Sequence, residues 1–106
     1  MTRTEIPAEL LADVENYLNI TWQDEATDDK IRGLIASGTI YLDGKLGDTA
    51  DYTQDGMPRT LLMEYVRYAR DSALDVFENN YLNLLLAMQN DKAVKDYVES
   101  SVQTEQ

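Results

Sequence analysis

Neither cysteine nor histidine occurs among the 106 residues. Their absence removes disulfides, thiolate nucleophiles and imidazole bases together, and with them almost every transition-metal site. Zero cysteines carries no information on redox compartment. Positive charge is also scarce: nine Lys and Arg stand against twenty Asp and Glu, giving a net charge of −11. A surface this acidic repels phosphate, so groove binding to a duplex would need a local basic patch that overrides the whole. No apolar run approaches the ~20 residues needed to cross a bilayer, and the leading MTRTEIPAEL lacks the apolar centre of a signal peptide. The expectation is a soluble, cytosolic protein with no membrane partner.

What is present points to helices. Hydrophobic residues make up 43% of the chain, enough for a globular core, and the length suits one domain that buries about two thirds of its unfolded surface. Pro7 is well placed in a first helical turn, and Leu10, Leu11, Val14, Tyr17 and Leu18 follow at spacings of three and four. This helix, Ala8 to Leu18, stops in Asn19 to Thr21, and Trp22 lies in the connection. Asp24, Glu25, Asp28 and Asp29 then crowd the start of a second segment whose end carries Lys45, the charge order that a helix dipole favours. Ile31, Leu34, Ile35, Tyr41 and Leu42 form its expected buried stripe. Gly33 and Gly38 would allow another helix to approach, and Gly47 is the expected stop.

Asp48 to Met57 reads as a polar, turn-forming linker. Within it DYTQDG, Asp51 to Gly56, opens like a calcium loop, with oxygens at alternate positions before a glycine. The twelfth position is Leu62, which offers no side-chain oxygen, and Pro58 falls where coordination should continue. The linker is therefore read as a turn with no metal.

Pro58 opens the longest periodic segment, with Leu62, Val66, Ala69, Ala73, Val76 and Phe77 on one face out to Glu78. Asn79 and Asn80 are expected to bend or break it. YLNLLLAMQ then packs Leu82, Leu84, Leu85, Leu86 and Met88 so densely that apolar groups point all round the helix, more than a small domain can cover alone. Lys92 to Val98 add one or two turns carrying Val94, Tyr97 and Val98, and ESSVQTEQ reads as a disordered tail. The fold class is all-α: three main helices and a shorter C-terminal helical segment, divided into a domain at 1–91 and an extension with flexible tail at 92–106.

The chemistry of an enzyme is missing from this pattern. The acids fall at helix starts, on polar faces and in the linker, where hydration keeps them ordinary. No serine stands in a Gly-flanked strained turn, Lys30, Lys45, Lys92 and Lys95 sit among charges, and no glycine-rich phosphate loop occurs. No catalytic, cofactor-binding or metal residue is assigned. YVRYAR, Tyr65 to Arg70, is the one place where aromatics and arginines interleave, a composition that serves a core edge, a protein interface or nucleic-acid contact. Glu64 and Asp71 blunt part of its positive charge.

The order of a leading helix ending in YLNI, the acid-rich start DEATDDKIRGLIASG, the linker, and RTLLMEYVRYARDSALDVFENNYLNLLLAMQ resembles the phage head-tail connector family. These are small adaptors of tailed phages and prophages, often labelled as possible DNA packaging proteins. The resemblance covers Pro7 to Gln89. It implies a homo-oligomeric ring, a dodecamer in many relatives, beneath the portal protein and above a downstream tail or stopper protein. Genomic DNA would pass through the lumen without sequence-specific binding, and the protein would sit at the head-tail junction of the virion after synthesis in the bacterial cytoplasm. The region from Lys92 to Gln106 would reach toward the portal. Trp22, Tyr65, Arg67, Tyr68, Arg70, Leu84, Leu85, Leu86, Tyr97 and Val98 are the candidate interface residues. Two other readings stay open: a small helical nucleic-acid-binding packaging or regulatory protein that uses Arg67 and Arg70, and an acidic mimic of DNA.

Overall fold

Asp24 begins the central helix by turning its own carboxylate back onto it. Its Oδ2 accepts hydrogen bonds from the Thr27 backbone N–H (3.3 Å) and hydroxyl (2.7 Å), which hold the carboxyl below its usual range and satisfy donors that a helix start leaves open. The structure, a computed structural model, describes residues 1–104, with side chains through Glu99. The chain is all-α: among the described residues there is no strand, and a single 3-10 turn, Arg3–Glu5, precedes helices α1 (Ala8–Tyr17), α2 (Glu25–Leu46), α3 (Met57–Arg70) and α4 (Leu74–Thr104). α2 and α3 pack along each other, α1 caps the pair, and α4 lies back across α3 and the far end of α2.

The buried faces follow the helical period. α1 contributes Leu10, Leu11 and Val14, α2 contributes Ile31, Ile35 and Leu42, and α3 contributes Leu61, Leu62, Tyr65 and Val66. Leu34 and Tyr41 are half-buried against this core, as is Leu18, whereas Tyr17 is exposed. The acidic linker is tied down by Tyr52, which is fully buried and donates its hydroxyl to Asp43 Oδ1 at 2.6 Å. Burial together with the Asp43 carboxylate pushes that phenol strongly upward. Thr53 donates to Asp51, and Arg59 bridges the Tyr52 carbonyl and Asp13 of α1. Asp51 and Thr53 are thus engaged with each other, and no grouping of three His, Cys, Asp or Glu able to hold a metal occurs among the described residues.

The helix boundaries depart from the expected partition in the second half of the chain. The periodic segment does not run through to Glu78. It ends at Arg70, and Asp71 to Ala73 reverse the chain, with Ser72 in the left-handed region at φ 56°. Asn79 and Asn80, the expected break, lie inside α4. Phe77 and Tyr81 explain why: they stand one turn apart, stack with ring centroids 5.1 Å apart, and seat the helix on either side of the asparagines. Asn80 also donates to the Tyr68 hydroxyl at 3.3 Å. An asparagine costs a helix only about 0.7 kcal/mol relative to alanine, less than such packing returns. The reversal turns Val76, expected on the core face, out to solvent. The last element is therefore the longest helix rather than a short segment. It crosses Asp91 and Lys92 without interruption and carries helix into the expected tail as far as Thr104; Glu105 and Gln106 lie outside the described residues.

Its length shapes the molecule. The principal extents are 55 × 28 × 19 Å, and the radius of gyration is 15.5 Å against about 13 Å for a compact chain of this length.

The three glycines of α2 have different surroundings. A Cβ built on Gly38 would lie 2.8 Å from both Leu62 Cδ1 and Tyr65 Cδ1, so this glycine sets the approach of α3, as its position suggested. Gly33 meets the flexible end of Arg3 instead of a helix, and Gly44 faces open space. Gly38→Ala is expected to destabilise the fold by about 1–3 kcal/mol through overpacking. Gly44→Ala is expected to stabilise it by about 0.5–1 kcal/mol through helix propensity. Urea denaturation of the two variants beside the parent measures both, and the signs should be opposite.

Candidate assembly surface

α4 has an inner face that is fully used and an outer face that is not. Phe77, Leu85 and Met88 are buried and Tyr81 is half-buried, each three or four residues from the next, so they form one stripe against α2 and α3. Polar ties reinforce it: Tyr41 donates to Glu78 at 2.6 Å, Gln89 Nε2 to the Lys45 carbonyl at 2.7 Å, and Lys92 pairs with Asp48 at 3.5 Å. Past Lys92 the ties end, and every residue from Ala93 to Glu99 is exposed.

On the outer side Leu82, Leu86, Ala93 and Tyr97 follow at spacings of four, seven and four, which places them along one line of the helix. Leu86 is 52% and Tyr97 73% exposed. Leu84, Val94 and Val98 are also exposed, around the helix from that line. The expected excess of apolar surface is present, with its centre shifted. Leu84, Leu86, Tyr97 and Val98 are on the surface, but Leu85 is 4% exposed and belongs to the core. Tyr65, at 6%, is likewise a core residue, packed edge-on against Phe77 at 5.7 Å, and neither lies on the surface of this fold. Ile40 of α2, 64% exposed, was not among the expected interface residues, although its place off the Ile31, Ile35, Leu42 stripe was readable from spacing.

The arginines of YVRYAR are committed locally. Arg67 makes a two-pronged contact to Glu64 Oε2 through Nε (2.9 Å) and Nη2 (2.6 Å), and its guanidinium lies 4.7 Å from the Tyr68 ring centroid. The Glu64 carboxylate holds Arg67 well above its ordinary value. Tyr81 of α4 donates to the same Glu64 oxygen at 2.9 Å and Tyr17 of α1 donates to its other oxygen, so one carboxylate joins three helices. Tyr68 is half-buried between Phe77 and Tyr81. Arg70 is exposed and reaches the Leu18 carbonyl at 3.5 Å.

Trp22, 51% exposed, stands at the far end of α2 from α4's free turns. It walls an open cleft of about 470 Å³ between α1 and the start of α2, together with Asn16, Ile20 and the acids Glu15, Asp24 and Asp28. Burial and the neighbouring Asp28 carboxylate raise Glu15 above its ordinary 4.5. A carboxyl whose folded value is raised binds its proton more tightly when folded, so its contribution to stability is whole below 4.5 and is lost as pH rises through the folded value. Glu15→Gln is therefore expected to be more stable than the parent at pH 7, with the gap closing as pH falls to 4.5 and below. Urea midpoints of the pair at pH 7 and pH 4 test this, and an equal gap at both would contradict it.

Comparison with known proteins finds no family model that matches the chain, and no match among curated sequences or solved structures.

Proposed function

We propose that the protein is a structural adaptor that works by assembly alone, a head-tail connector of a tailed phage or prophage that forms a ring beneath the portal. The observation that carries the proposal is the exposed apolar surface of α4, where Leu82, Leu86 and Tyr97 on the outer line and Val94 and Val98 beside it leave more apolar surface than solvent contact favours. A ring subunit needs two unlike patches, one for each neighbour, because a heterologous contact that closes makes a ring. The chain offers two at opposite ends of α2: the apolar turns of α4 past Lys92, and the Trp22 cleft. The exposed end of α4 also suits docking into a portal, and a net charge of −11 gives passing DNA no phosphate grip. In this reading the protein has no catalytic role, its partners are the portal and a downstream tail or stopper protein, and its place is the virion.

Light scattering across a range of concentrations, alone and with portal protein, tests it. Higher-order species are expected in at least one condition. The double variant Leu86→Ser, Tyr97→Ser should keep the parent's helical circular dichroism, since both side chains are exposed, while weakening assembly by tenfold or more. A small species that ignores portal at every concentration, or assembly untouched by the double variant, would refute the proposal.

A further inference from the structure

The described helices reverse or end through left-handed residues at three places, and the third is unlike the others. α2 stops at Gly47 (φ 79°), the residue for which this conformation carries no steric cost. α1 stops at Asn19 (φ 61°), the next best choice; Asn19 N–H donates to the Asn16 carbonyl (3.1 Å) and Ile20 N–H to that of Glu15 (2.9 Å). α3 ends with the same pair of bonds, Ser72 N–H to Ala69 (3.0 Å) and Ala73 N–H to Tyr68 (2.9 Å), but the left-handed residue is Ser72 at φ 56°. A residue with a Cβ disfavours that conformation by roughly five- to thirtyfold.

Nothing in the local sequence demands the turn. No glycine or proline occurs after Pro58, and the apolar positions Leu62, Val66, Ala69, Ala73 and Phe77 keep helical spacing straight through it. Helical spacing alone allows one helix of about 70 Å from Met57 to Thr104, yet the chain folds back and seats α4 on α2 and α3.

We propose that α4 is exchanged between two copies of this chain: the turn at Asp71 to Ala73 opens, α3 and α4 join into one continuous helix, and each copy's α4 fills the seat on the other. A second copy is the one partner able to remake every contact that α4 makes at home, among them Phe77 with Tyr41, Tyr65 and Tyr68, Tyr81 on Glu64, Glu78 on Tyr41 and Gln89 on the Lys45 carbonyl. Exchange adds no new interface requirement and releases two strained turns per dimer. Short hinges under strain favour such swaps. Asp71 and Ser72 are exposed, so opening uncovers no apolar core at the hinge, and Ala69 and Ala73 present small side chains where the two long helices would cross. The exchange is independent of any role at a portal.

Two substitutions push the hinge in opposite directions. Ser72→Gly relieves the left-handed residue and weakens the continuous helix, whereas Ser72→Ala keeps the strain and favours the helix. The dimerisation constant is expected to be larger for Ser72→Ala than for Ser72→Gly by about tenfold per hinge and thus about a hundredfold per dimer. The readout is size exclusion with light scattering after refolding at graded concentrations. Lys45→Cys with Gln89→Cys, in a chain otherwise free of cysteine, identifies the species by bridging with a short bismaleimide. Exchanged dimers should link chain to chain on a denaturing gel, and monomers should link only within the chain. Equal dimerisation of the two Ser72 variants, no dimer in either, or dimers whose bridges stay within one chain would each overturn the proposal.

Discussion

Phe77 is the side chain on which the tertiary structure turns. It is fully buried, and the rings of Tyr41 from α2, Tyr65 and Tyr68 from α3 and Tyr81 from α4 surround it with centroids 5.1 to 6.3 Å away. Burying a phenylalanine contributes about 1.5–3 kcal/mol, and each well-placed aromatic pair about 0.5–1.5 kcal/mol more. A left-handed serine costs about 1–2 kcal/mol. The comparison decides the path of the chain: the helical spacing that would continue α3 is outweighed by a ring of tyrosines that, within a single copy, is reached only if the chain folds back.

Glu64 supplies the polar counterpart on the rim of this cluster. Its carboxylate accepts from Tyr17, Arg67 and Tyr81, and its side chain keeps only 13% exposure. Scarcity of cations makes the arrangement consequential. With nine basic residues against twenty acids, each arginine paired with a carboxylate of the fold leaves less unpaired positive charge. Arg59 is held by Asp13 and the Tyr52 carbonyl, and Arg67 by Glu64 and the Tyr68 ring. Of the two arginines that the nucleic-acid reading of YVRYAR uses, Arg67 already has a carboxylate partner inside hydrogen-bond range, whereas Arg70 stays exposed beside the Leu18 carbonyl.

The legibility of this fold in its sequence follows the strength of each local signal. Helical spacing identified the buried residues of α1 and α2 because several apolar positions agree in each. Gly47 and Asn19 announced their helix ends because their backbones accept positive φ at little cost. Ser72 announced nothing, since the force that turns the chain there is the distant tyrosine cluster, and Asn79 and Asn80 gave a false signal because the same cluster overrides a weak propensity. The candidate surface was legible in amount but not in orientation. A run such as LNLLLAM shows that some leucines must be exposed, but only the seating of Phe77 and Tyr81 decides that Leu85 goes inward and Leu86 outward.

That seating also sets where α4 needs help. Phe77, Tyr81, Leu85 and Met88 hold its first half, and the Lys92 pair with Asp48 is the last tie to α2's end. The turns that follow carry Val94, Tyr97 and Val98 into solvent. A helix in water draws most of its stability from packing an apolar face, and a short isolated stretch is marginal. Exposed apolar groups on the same turns add the cost of hydrating them. Both deficits are relieved by one event, the covering of these turns by another surface, so the least supported part of the monomer is also the part with the most to gain from assembly.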